Sequence, residues 1–360
     1  MLINNSQIKA KTRNSNIELY RIVVMILIVA HHYMGHSELI SLMNENPDSS
    51  QTIMLSLIGM WGKTGINAFV LITGYFMCKS TISIQKLLRL LLQVYFYNIV
   101  LTIFLYYGVH MKFTLKDLAD ALLPIRNIQN DFVACFLMFY LFIPFINILI
   151  QNIGKKLHLR LILLSVFVYS FFPSFLLGGT TFNYVNWFIV LYFISSYLRL
   201  YPCKKDASLK FWGICSLVCV LLSMMTVYFF LEFCHCFDKV FLLVTDSNKL
   251  LPLATAISTF MFFKNLKIGG HITWINTIAS TTFGVLLIHS NSEPMRRWLW
   301  DKVFDCGQYW NSPRLFSISI IIILLVFGIC SFIEYLRKKL IEEKTDKLIN
   351  KILVGKMNNE

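Results

Sequence analysis

The sequence predicts an all-α fold, a polytopic integral membrane protein of about ten transmembrane helices with its N- and C-termini cytoplasmic. Three observations carry this. Hydrophobic residues make up 56% of the 360 positions and charged residues only 14%, where a soluble globular domain carries about 25% charged. Ten apolar runs follow one another, most of them near the roughly 20 residues that cross a hydrocarbon core. Of the 33 Lys and Arg residues, 22 fall on every second connection counted from a cytoplasmic N-terminus, as the positive-inside rule requires.

In order, the runs are Ile17 to Tyr33, Ile53 to Cys78, Lys86 to Gly108, Phe132 to Ile150 and Arg160 to Leu177. Tyr184 to Leu200, Lys210 to Leu231, Leu251 to Phe263, Trp274 to His289 and Leu315 to Tyr335 complete the set. The eighth is short, and its Thr and Ser residues are expected to face neighbouring helices. Long outer connections follow at Met111 to Asp131, Glu232 to Leu250 and Ser290 to Arg314. The organisation read from this is a cytoplasmic tail over 1–16, a membrane domain over 17–335, and a basic tail over 336–360. That last run is amphipathic and suits the inner leaflet, making membrane lipid a partner.

The same pattern narrows the function classes. The net charge of +14 follows topology, so nucleic acid is not an expected partner. The first run contains Arg21 and ends in His-His-Tyr-Met-Gly-His without a small-x-small site, so it reads as a retained helix and not a cleaved signal peptide. Nine cysteines are scattered; Cys234-His235-Cys236 lacks a second ligand pair at zinc spacing, and no metal is assigned. Gly-x-Ser-x-Gly, Walker A, His-Glu-x-x-His and dinucleotide patterns are missing from the sequence.

Chemistry concentrates in the first run, Glu18-Leu-Tyr-Arg21 through His31-His32. An Arg in mid-helix costs roughly 2.5 to 3.5 kcal/mol on insertion, so such groups face a bundle interior or a cavity. Eleven residues at about 100° each return His32 to within about 20° of the Arg21 face, about 16 Å further along the axis. His31 is turned about 80° away. Glu18 stands one turn before Arg21 as an intrahelical partner. A histidine here can take a proton from a hydroxyl or accept an acyl group itself, although His31, His32 and His36 also suit an interfacial helix end. Lys86 and Arg89, one turn apart at an inner helix end, suit phosphates or act as positive-inside anchors. His289, followed by Asn291, is a second base or an acceptor-binding group, or an interfacial residue. Trp187, Tyr192, Tyr309 and Trp310 suit sugar stacking or an aromatic belt.

These residues carry a resemblance. Glu18-x-x-Arg21 followed by His32 resembles the first-helix signature of the membrane acyltransferase 3 family. Gly65-Ile-Asn-Ala-Phe-Val-Leu-Ile-Thr-Gly74-Tyr75-Phe is similar to its second-helix segment ending in Ser-Gly-Tyr, with Thr73 for Ser. Lys86-Leu-Leu-Arg89 is similar to its cytoplasmic Arg-x-x-Arg pair, with Lys first, which replaces a planar fork by a point charge. Tyr140-Leu-Phe-Ile-Pro144 and Phe283-Gly-Val-Leu-Leu-Ile-His289 resemble its fourth-helix and late-helix patterns, and all five pieces stand in the family's order from about Asn16 to Tyr335.

The resemblance implies an O-acetyltransferase of the bacterial plasma membrane. Acetyl-CoA would be the donor substrate, with no bound cofactor. The acceptor would be an extracytoplasmic glycan or lipid-linked oligosaccharide, and envelope-assembly proteins possible partners. It also implies roles: His32 catalytic, with Arg21 and Glu18 its motif partners; Lys86 and Arg89 on the acyl-CoA side; Tyr75 near the pocket. The alternative reading is a transporter or exporter of a glycan or small molecule without acyl chemistry, since ten spans with intramembrane Arg and His suit transport as well.

Overall fold

The computed structural model describes residues 14–80, 82–125, 132–175, 183–233, 240–244, 246–347, 349 and 351. The tail over 1–13, most of the C-terminal tail beyond 347, and the Cys234-His235-Cys236 segment lie outside the described residues. Among the described residues the chain is helical and no strand is present. In chain order the α-helices are α1 (Ser15–Gly35), α2 (Leu39–Glu45), α3 (Ser50–Gly59), α4 (Gly62–Met77), α5 (Ile84–Ile103), α6 (Leu115–Leu122), α7 (Phe132–Asn152) and α8 (Gly154–Val166). They continue as α9 (Phe172–Phe175), α10 (Tyr184–Leu200), α11 (Leu209–Glu232), α12 (Leu250–Asn265), α13 (Thr273–Ala279), α14 (Thr282–His289), α15 (Glu293–Arg297) and α16 (Leu315–Arg337).

Short polar residues set the starts. Asn14, Ser49, Ser83 and Asn183 each accept the backbone N–H of a residue two or three further on, satisfying a donor that the first helical turn leaves open. Among the described residues, seven stretches are long and apolar enough to cross a bilayer: Ser15–Gly35, Ser50–Met77, Ile84–Gly108, Phe132–Asn152, Gly154–Phe175, Leu209–Glu232 and Leu315–Lys347. The protein is therefore a multi-pass membrane protein. The other three expected runs form shorter helices: α10 has 17 residues, α12 has 16, and the ninth run is split into α13 and α14.

Two runs that read as continuous are broken. The second bends at Met60-Trp61 between α3 and α4, and the ninth at Ser280-Thr281. At the second break Ser280 Oγ donates to the Thr277 carbonyl at 2.7 Å, and Thr281 Oγ1 donates to the Ile278 carbonyl at 2.7 Å. Hydroxyls that compete with the backbone for its own carbonyls loosen a helix at that point. Lys338 Nζ then donates to Ser280 Oγ at 2.9 Å and holds the break against α16.

The ends of the helices collect into two faces, as the alternation of charge requires. At the basic face Asn16 donates to the Leu266 carbonyl, Ser15 to Asn276 at 3.2 Å, and Asn265 to the Asp206 carbonyl. At the opposite face His31 meets Gly59, Lys63 meets Tyr184, and the Glu38 N–H donates to Asp301. α1 is central and packs on α3, α4, α12, α13, α14 and α16. α5, α8 and α11 are peripheral, with most of their apolar side chains turned outward. The eighth run behaves as expected of a polar-faced span: Thr259 pairs with the Tyr20 hydroxyl at 2.7 Å and Thr255 with Ser223 at 3.4 Å.

Two aromatic residues read as sugar-stacking or belt positions are neither. Trp187 and Tyr192 are fully buried. The Trp187 indole donates to Asn67 Oδ1 at 2.8 Å, and the Tyr192 hydroxyl to Asn147 Oδ1 at 2.6 Å. They are polar links between helices, where an unmade bond would be costly.

Candidate active site

The last turns of α1 and α14 meet at the face opposite the basic one. His32 Nδ1 lies 2.9 Å from His289 Nε2, although the two residues are 257 positions apart. His289 is fully buried, and its Nδ1 lies 2.6 Å from the Val285 carbonyl one turn back on α14. A carbonyl oxygen only accepts, so His289 Nδ1 is the protonated nitrogen. With neutral rings, His289 Nε2 then accepts from His32 Nδ1–H. His32 Nε2 is left with its lone pair, the state a base or nucleophile requires.

His31 turns the other way. Its Nδ1 donates to the Gly59 carbonyl at 2.8 Å, a group released by the break between α3 and α4. Gly62 opens the space for this ring, since a Cβ there would lie 2.2 Å from His31 Cγ. Gly62→Ala is expected to push His31 off Gly59 and deform the cavity beside it. The measurable outcome is a lowered thermal midpoint in detergent together with reduced activity; a variant indistinguishable from the parent in both would contradict this packing.

His32 lines a cavity of about 300 Å3 together with Ile28, His36, Lys63, Phe132 and Arg296. The His36 ring centroid is 5.1 Å from that of His32. Burial, and then the nearby Arg296 guanidinium, push His36 down to about 4, so it adds no charge at neutral pH. Lys63 Nζ donates to the Tyr184 hydroxyl at 2.8 Å. Arg296 follows the short helix start capped by Ser292 and is held by Glu293 through Nη2 at 2.8 Å and Nε at 3.2 Å. The hydrogen bonds from Arg296 keep the Glu293 carboxyl below its ordinary range, so the pair persists at neutral pH and is lost only on acidification.

A second pocket of about 480 Å3 adjoins the first, and the two share Val133, Leu286, Ser290 and Arg296 as lining. Its wall is polar, with Asn98, Asp120, Asn291 and Glu293. Asn291 donates to Asn98 at 3.0 Å. A half-buried imidazole with a defined tautomer, His32, thus opens on a small chamber carrying two cations, and that chamber leads to a polar pocket.

The family model described as an acyltransferase domain, that of acyltransferase 3, matches residues 14–332. The chain belongs to the acyltransferase 3 family. Neither a curated protein nor a solved structure matches it. The matched span contains α1 and α14 with both histidines of the pair, so the chain is a membrane acyltransferase, and the pair lies at the end of the bundle opposite the basic face.

The remaining residues singled out in the sequence fall into three other places. Glu18 and Arg21 form an ion pair on α1, Oε2 to Nε at 3.5 Å, with Glu18 buried. Tyr75, at the basic end of α4, is buried and accepts from Arg199 at 2.9 Å. Lys86 and Arg89 are exposed on α5, and the Arg89 fork holds Asp346 through two bonds of 2.9 and 2.8 Å. The acyltransferase therefore places His32 and His289 together and keeps the other five at a distance from them.

Sequence reasoning missed Lys63, Arg296 and the Asn98–Asn291 pair. A signal for Arg296 was present, because Arg296 and Arg297 lie on a connection that charge topology assigns to the outside, where basic residues are disfavoured. It also missed Glu334, which is buried on α16. Glu334 accepts from Tyr97 at 2.6 Å, from Gln93 at 3.0 Å, and from Arg337 at 2.7 and 2.8 Å.

Proposed function

We propose that the protein is a bacterial plasma-membrane O-acetyltransferase that moves acetyl from cytoplasmic acetyl-CoA to a hydroxyl of a cell-surface polysaccharide or its lipid-linked precursor. The observation that carries this reading is the hydrogen-bonded series from the Val285 carbonyl through His289 to His32, ending at a cavity on the outer side. Family membership supports acyl transfer, and the basic face supports an anionic donor entering from the inside.

The polar pocket is suited to the acceptor. Amides and carboxylates such as Asn98, Asn291 and Asp120 bind sugar hydroxyls, and the shared wall brings one hydroxyl to His32. His32 Nε2 removes that hydroxyl's proton as its oxygen attacks the thioester carbonyl. Negative charge then grows on the former carbonyl oxygen, and Arg296, oriented by Glu293, and Lys63 offset it. Collapse breaks the carbon–sulfur bond, and the imidazolium returns its proton to the departing thiolate. His289 keeps the His32 ring in the reactive tautomer and accepts its Nδ1–H throughout.

The test is transfer by the purified protein in sealed vesicles. Labelled acetyl-CoA on the basic side and a membrane extract of host glycan on the other are expected to yield alkali-labile acetate on the glycan. Glycan flux with no acetate transferred would instead establish the transporter reading.

A further inference from the structure

The helix that lines the His32 cavity also carries a cluster of cations at its far end. Phe69 of α4 borders the cavity, and Tyr75 lies six residues further, about 9 Å along the axis. Two cations from two other helices converge on the Tyr75 ring. Arg199, in the last turn of α10, has its Cζ 4.6 Å from the ring centroid and donates Nη1–H to the Tyr75 hydroxyl at 2.9 Å. Lys264, in the last turn of α12, has its Nζ 6.0 Å from the same centroid.

Among the described residues neither cation has a carboxylate within ion-pair distance. The nearest acidic influence on Lys264 is Asp206, and its oxygens are taken by Cys203, through the backbone N–H at 2.6 Å and Sγ at 3.1 Å. Lys264 Nζ makes only a long contact, 3.8 Å, to Met261 sulfur. Arg199 Nε is buried without a hydrogen-bond partner. Two like charges held near one ring, one with an unsatisfied buried donor, form an arrangement that costs free energy until an anion enters. A guanidinium edge, an ammonium and a phenol O–H together match phosphate oxygens.

We propose that Arg199, Lys264 and Tyr75 form an anion site for the phosphate groups of a phosphorylated acyl donor, reached from the basic face of the bundle. It rests on the acyl-CoA reading above and gives the donor a location distinct from Lys86 and Arg89, whose guanidinium is already held by Asp346. Arg199 supplies the fork, Lys264 the second charge, and the Tyr75 hydroxyl, accepting from Arg199, donates its own proton to a phosphate oxygen. The acyl end then points along α4 toward His32.

The experiment is calorimetric titration of coenzyme A into the full chain in nanodiscs of phosphatidylcholine alone, with inorganic pyrophosphate as competitor. Arg199→Gln and Lys264→Gln are each expected to weaken coenzyme A binding at least tenfold, with Arg199→Lys closer to the parent and pyrophosphate displacing coenzyme A from the parent. Thermal midpoints within a few degrees of the parent show that the variants are folded; should Arg199→Gln fail this control, Lys264→Gln carries the comparison. Binding within twofold of the parent in folded variants overturns the site while leaving the acyl-CoA reading intact. Parent protein that binds no coenzyme A overturns both. A lipid headgroup is the other source of phosphate: if nanodiscs containing phosphatidylglycerol show lipid retention that Arg199→Gln abolishes while coenzyme A binding is unchanged, the site belongs to lipid and the donor assignment falls.

Discussion

Replacing His32 by alanine is expected to lower acyl transfer by about 10² to 10⁴-fold, the range that a positioned proton-transfer group contributes. The loss should appear in kcat, because the polar pocket built from Asn98, Asn291 and Asp120 is intact and acceptor binding persists. Stability should change little, since His32 makes one side-chain hydrogen bond, to His289. His31→Ala provides the contrast. It removes the bond to Gly59 at 2.8 Å and so is expected to reduce stability more than the chemical step. Steady-state kinetics and thermal unfolding of both variants, at matched membrane expression, check the pair of expectations. A His32→Ala enzyme with parental kcat would remove His32 from the chemistry.

The largest stability effect is expected at Glu334. Its carboxylate is 1% exposed and accepts four hydrogen bonds, two of them from Arg337. Removing one partner of a buried ion pair leaves the other charge uncompensated, a loss of about 3 to 5 kcal/mol. Glu334→Ala therefore leaves Arg337 without its main partner and also uncovers Tyr97. The same side chain seats α14, because a Cβ at Gly284 would lie 2.4 Å from Glu334 Cγ. Transfer should fall together with stability as α14 shifts and carries His289 with it. Glu334→Gln, which keeps acceptor geometry for Tyr97 but not the charge, should lie between. Denaturation in detergent checks the order; an alanine variant as stable as the parent would mean that the bonds contribute nothing net.

The membrane character and the runs that become α1, α5, α7, α10, α11, α12 and α16 were legible because lipid imposes a long apolar requirement on each span. Hydropathy does not register a break satisfied inside the protein. The turns at Met60-Trp61 and Ser280-Thr281 are held by His31 and Lys338 from distant helices, and the polar residues beside them, Lys63-Thr64 and Ser280-Thr281-Thr282, are too few to end an apolar run. The short helices α2, α6 and α15 were missed for another reason: seven-, eight- and five-residue elements in polar connections have no periodicity long enough to read. His32 was legible from its position on the Arg21 stripe and from the motif, and the separation of His31 from it followed from the helical angle. The partnership with His289 was not, because it depends on how α14 packs against α1. Arg89 shows the converse limit. Its place near the start of a helix was legible, but the bidentate contact with Asp346 forms only because the last helix runs on to Lys347, past the point where hydrophobicity ends.

In the proposed transfer His32 and His289 act as one unit, and a double-mutant cycle on kcat tests that most directly. Residues that function together are strongly non-additive. His289→Ala alone is expected to reduce kcat by about 10²-fold through loss of ring orientation. In a His32→Ala background the same substitution should have almost no further effect. Two losses that simply multiply, with the double variant slower than His32→Ala by the full His289 factor, would show that the histidines work independently and would contradict the relay.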